Sequence, residues 1–210
     1  MIEYLRDPAE IYRRSFAAIR SEADLERVPV PLEPVVVRLI HACGMSDIVA
    51  DLAFSPDLVE RAQAALKAGA PILCDTRMVA DGIQRRRLGA GNQVIALLDA
   101  AEVAPLARER RTTRAAVAIE LARPALAGAL VAIGNAPTAL FRLLELLAEG
   151  AAAPAAILAF PVGFVGAAES KAALAASSHG VPYLTLLGRR GGSALAAAAV
   201  NALAMPEVGA

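Results

Sequence analysis

The chain has 210 residues, 57% of them apolar and 20% charged, with 21 basic and 21 acidic side chains. That composition fits one folded domain and excludes a disordered chain. Zero formal net charge and an aromatic share of 4% argue against a nucleic-acid partner, which needs basic charge and stacking rings.

Cys43 and Cys74 are too few for a disulfide framework and point to a reducing compartment. The opening "MIEYLRDPAE" is charged at once and lacks an apolar signal core. The uncharged stretch "GGSALAAAAVNALAMP" is too short to span a bilayer. A cytoplasmic protein with no membrane partner is expected.

"DPAEIYRRSFAAIRSEADL" predicts an opening helix, with Asp7 as its N-cap and Pro8 in its first position. "EPVVVRLIHACG" predicts a second helix: Pro34 suits its first turn and Gly44 its end. From there strands and helices alternate. "DLAFS", "APILCD", "QVIALL", "GALVAIG", "PAAILAF" and "PYLTLLG" are short apolar runs, and helical segments separate them. The pattern predicts an α/β fold, a three-layer, doubly wound and mostly parallel sheet. Residues 1–50 form a helical N-terminal segment and residues 51–210 the α/β core of a single domain.

In such folds ligands bind at the carboxyl ends of strands. The turns there are "CDTRM", "IGNAPT", "FPVGFVGAAESK" and "LGRRGGS", and the last three lead into helix N-termini suited to carboxylate or phosphate. No GxGxxG opens the first βα unit and no GxxxxGK[ST] is present, so a nucleotide cofactor is not expected. There is no CxxC, HxxxH or carboxylate cluster at ligand spacing, so no metal site is expected.

One of only two histidines, His41, lies in the apolar stretch "RLIHACG". A Cys–His nucleophile is a poor reading. On a helix, residues two apart diverge by about 200°, so Cys43 and His41 point apart. A lone acid/base and a core histidine bonded to a carbonyl both remain open. His179 falls in a helix-to-strand turn and reads as a surface or capping residue.

The segments "SFAAI", "RLIHACG", "APILCDTRMVADGI", "VAIGNAPTALF", "PVGFVGAAESK" and "VPYLTLLGRRGGSALAAAAVNALA" resemble, in order and across nearly the whole chain, the precorrin-8X methylmutase family of cobalamin biosynthesis. The resemblance is closer to the cobalt-free branch than to the cobalt-first branch. It implies an isomerase that moves a methyl group from ring carbon 11 to ring carbon 12 of a tetrapyrrole, giving hydrogenobyrinic acid without a cofactor. It also implies a flavodoxin-like fold and a homodimer. The family's acid/base histidine falls on His41, and its substrate-contacting serine on Ser15.

Chemistry adds expectations at the rim. A disc bearing carboxylate arms needs small residues beneath it and cations or helix N-termini around it. Arg114, Asn135, Thr138, Lys171 and Arg189 are the expected substrate-binding residues on that ground. A non-catalytic corrinoid carrier and a cobalt-containing substrate are the alternatives.

Overall fold

Short, mostly apolar runs free of charge supply the strands, and the central ones, Ile72–Cys74, Leu130–Ile133 and Ala156–Ala159, are buried throughout. The computed structural model describes residues 2–205. Its strands are β1 (Leu52–Phe54), β2 (Ile72–Cys74), β3 (Val94–Ala96), β4 (Leu130–Ile133), β5 (Ala156–Ala159) and β6 (Tyr183–Leu186). They form one six-stranded sheet in the order β1-β6-β5-β4-β2-β3. All neighbouring pairs among β2 to β6 run parallel.

The alternation of side chains builds two cores from one sheet. In β4, Leu130 and Ala132 join one core while Val131 and Ile133 join the other, and all four are fully buried. The first core is closed by α2 (Glu33–Cys43), α3 (Leu58–Lys67), α4 (Arg77–Gly82) and α9 (Ser193–Leu203). The second is closed by α5 (Val103–Glu109), α6 (Arg114–Leu121), α7 (Pro137–Ala148) and α8 (Ala167–Ala176). This is the expected three-layer α/β arrangement.

The first strand departs from the parallel pattern: β1 pairs antiparallel with β6, Leu52 opposite Leu186. Two contacts just upstream accompany this pairing. The Leu187 N–H donates to the Asp51 carbonyl at 2.8 Å, and Arg190 pairs with Asp51 at 2.7 Å. The chain therefore enters β1 beside the carboxyl end of β6 and runs down the sheet edge.

The expected N-terminal helical pair is α1 (Pro8–Glu22) packed on α2. The Asp7 side chain accepts from the Ala9 N–H, capping α1. Gly44 ends α2 with φ 71°, the left-handed conformation that glycine adopts without a side-chain clash. Among the described residues no helix is long and apolar enough to cross a membrane.

Candidate active site

Helical spacing places three small sets of residues in one region. Tyr12, Ser15 and Phe16 share one face of α1 at i, i+3 and i+4. Arg38, His41 and Ala42 share a face of α2 in the same way. Ala194, Ala197, Ala198 and Asn201 form the outer stripe of α9. Where α1 meets α2, the Ser15 hydroxyl lies 2.9 Å from His41 Nδ1. The Tyr12 and Phe16 rings stand steeply inclined to the imidazole, at 64° and 67°, with centroids 5.8 and 5.4 Å away. The two residues marked by the resemblance are thus direct partners.

His41 opens on a shallow cleft of about 290 Å³. Its walls are α2, the end of α4 and the outer stripe of α9. Ala42, Gly82, Ala194, Ala197 and Ala198 line it with small side chains, and Arg38, His41, Gln84 and Asn201 add polar groups. Gly82 is needed for the close approach of α4 to α9. A Cβ there would lie 2.7 Å from that of Ala197. Asn201 locks the same corner: its amide donates to the Gly82 carbonyl at 2.9 Å and accepts from the Gln84 N–H at 2.7 Å.

This cleft lies on the outer face of the helical layer formed by α2, α4 and α9. The five rim residues expected from chemistry do not line it. Asn135 follows β4, and the nearby Thr138 hydroxyl bonds the Thr113 hydroxyl at 2.7 Å. That contact brings Arg114, at the start of α6, beside the start of α7. Arg189 is exposed, its guanidinium 5.4 Å from the centre of the Phe164 ring.

Lys171 is fully buried, and its ammonium donates to the Arg190 carbonyl at 2.5 Å. It braces the loop that carries Arg189 from below, a position hidden from any ligand on the surface. Burial pulls its pKa down to about 8, opposed by the charge of Asp51.

Two residues that the sequence did not single out now stand out. Arg38 is the cation of the His41 cleft. Its guanidinium donates to the Tyr12 hydroxyl and lies over the Tyr12 and Phe16 rings at 5.6 and 5.7 Å. Desolvation lowers its pKa, and the charge of Arg87 adds to that effect while Tyr12 opposes it. The available signal was spacing: Arg38 lies three residues before His41.

Asp75 is the second. It is 1% exposed, and its carboxylate accepts from the N–H groups of Gly134, Asn135 and Ala136 at 3.0, 2.9 and 2.9 Å. Burial pushes its pKa up while those N–H groups push it down. It holds the "GNAP" turn against the end of β2. A charged residue ending a buried strand was the signal for it.

The family model described as precorrin-8X methylmutase matches residues 10–205. A precorrin-8X methylmutase from Pseudomonas aeruginosa is 62% identical over 204 residues, 97% of this chain and 98% of that one. A cobalt-precorrin-8 methylmutase from Priestia megaterium is 35% identical, covering 94% of this chain and 88% of its own. A solved structure of precorrin-8X methylmutase from Thermus thermophilus matches with TM-score 0.84 and 42% identity, over 93% of this chain and 94% of that one. The chain belongs to the precorrin-8X methylmutase family, isomerases of cobalamin biosynthesis.

Proposed function

We propose that the chain isomerises precorrin-8X to hydrogenobyrinic acid in the His41 cleft, with His41 as general acid and then base. The observation that carries this reading is the Ser15–His41 contact beside a surface of small side chains. A flat macrocycle can lie on Ala42, Gly82, Ala194, Ala197 and Ala198, where larger side chains would hold it away.

The chemistry follows from the hydrogen bond. A protonated imidazole donates from both nitrogens. With Nδ1–H donating to the Ser15 hydroxyl, the proton given to the macrocycle leaves from Nε2. Protonation makes ring carbon 12 electron-poor. The methyl group then migrates from ring carbon 11 with its bonding pair, and the macrocycle returns a proton to Nε2. Ser15 holds the ring orientation and the tautomer throughout. General acid help supplies about 10²–10⁴-fold. The rest comes from holding the disc in a reactive shape.

The reading carries further parts. The cobalt-free substrate is favoured because the 62% identical relative is named for it and the 35% identical one for the cobalt form. The fold reading is flavodoxin-like: counted among themselves, the five parallel strands run 2-1-3-4-5. The protein works as one domain and as a homodimer in the cytoplasm, with no cofactor and with neither nucleic acid nor membrane as partner. Arg114, Asn135, Thr138 and Arg189 serve outlying arms of the substrate, and Lys171 serves through the loop above it.

His41→Asn tests the proposal. It is expected to abolish turnover by at least about 10²-fold while still binding hydrogenobyrinic acid, read by an absorbance titration. Near-wild-type turnover removes the acid role. A wild-type chain that binds the product but forms none from precorrin-8X is a carrier.

A further inference from the structure

We propose that Arg38 and Arg87 form the edge of the substrate site that recognises carboxylate arms, leading from the His41 cleft into a second cleft beside it. This rests on the His41 cleft being the macrocycle site.

The second cleft, about 320 Å³, lies at the other end of α9, among Leu66, Lys67, Arg87, Leu88, Leu203 and Met205. The two clefts meet at Arg38. One Arg38 Nη donates to Met205 Sδ at 2.7 Å, so the guanidinium touches a wall residue of the second cleft while Arg38 lines the first. Arg87 follows Gln84, a wall residue of the first cleft, by three residues and lines the second. It shares that cleft with Met205, which Arg38 touches.

Charge then points to a ligand. Half-buried arginines elsewhere in this fold meet acids. Arg142 pairs with Glu120, Glu145 and Glu149, and Arg190 pairs with Asp47 and Asp51. Among the described residues neither Arg38 nor Arg87 has a carboxylate within ion-pair distance. Arg87 Nη1 is buried and, among the described residues, has no hydrogen-bond partner. Two guanidinium groups repel each other where no anion lies between them, and a buried donor left unused costs stability. A carboxylate received between them relieves both costs, and a guanidinium suits it through paired, parallel hydrogen bonds. The exposed Lys67 adds a third cation where a second arm would reach.

The test uses the full chain and two corrin ligands: hydrogenobyrinic acid, with its carboxylate arms, and a fully amidated corrin with neutral arms. Arg87→Met keeps the apolar stem and removes the charge. It is expected to bind the polyacid about tenfold more weakly, to bind the amidated corrin within about twofold of wild type, and to unfold at an equal or higher temperature. Arg38→Gln is expected to show the same ligand split, and Arg38→Lys to recover part of the loss.

Wild-type affinity for the polyacid in both Arg87→Met and Arg38→Gln overturns the inference. So does an equal loss for both ligands, because a merely structural role does not distinguish their charge. A wild-type chain that binds neither corrin overturns the site reading, and this inference with it.

Discussion

Single residues in this fold are decided by who meets them in space. Lys171 and Arg38 are both cations on helices, yet one ends beneath a loop and the other in an open cleft. Burial makes Lys171 a pH-sensitive element of stability. Its pKa falls from 10.5 to about 8, so below pH 8 both folded and unfolded chains are protonated and the folded state bears the whole desolvation cost. Between pH 8 and 10.5 the folded chain sheds the proton first. The unfolded state then binds more protons, and stability rises with pH. Cys74 works in the opposite direction above pH 9, since burial pushes its thiol to about 12. The difference between wild type and Lys171→Met isolates the lysine. Unfolding free energies from urea titration are expected to move in favour of wild type from pH 7.5 to 10, by at most about 3 kcal/mol. A difference that stays flat across that range removes the buried charge as its cause.

Elements are joined by side chains that satisfy backbone groups. Asp75 follows β2 directly and takes three N–H groups from the turn between β4 and α7. Asp75→Asn keeps the size but turns an NH2 group toward one of those donors. A loss of about 1–3 kcal/mol is expected, read as a lower urea midpoint at unchanged slope. An unchanged midpoint shows that the turn holds without the carboxylate. Gly134 imposes a second constraint on the same turn. A Cβ there would lie 2.6 Å from the Ser193 Cα, so α9 can start so close to β4 only above a glycine. Elements of this kind were readable from the chain. Apolar runs, the Asp7 cap and the Gly44 terminus are local signals, and each stands where the local chemistry required. The antiparallel direction of β1 was not readable, because its partner β6 lies far away in sequence.

The whole molecule leaves apolar surface uncovered around its site. Tyr4 is 67% exposed, Ile11 44% and Tyr12 38%, all on or before the helix that carries Ser15. Apolar area of this kind beside an open cleft is what a second copy would cover. Sedimentation at micromolar concentration is expected to give twice the 21.7 kDa chain mass. Ile11→Asp is expected to shift the mass toward one chain and to weaken product binding. A monomeric wild type with full turnover ends the dimer proposal.

By itself the sequence determined the α/β alternation and the paired N-terminal helices, and its resemblance to a family raised the expectation of a role for His41 and Ser15. These were legible because periodicity, caps and a compact motif lie within a few residues of one another. Only the tertiary structure decided which polar groups share a site. Arg38, Gln84 and Asn201 meet His41 because α2, α4 and α9 pack together, whereas Lys171 is sealed under a loop. A side chain's residue type says what it can bind, but its neighbours from distant parts of the chain decide whether a ligand can reach it.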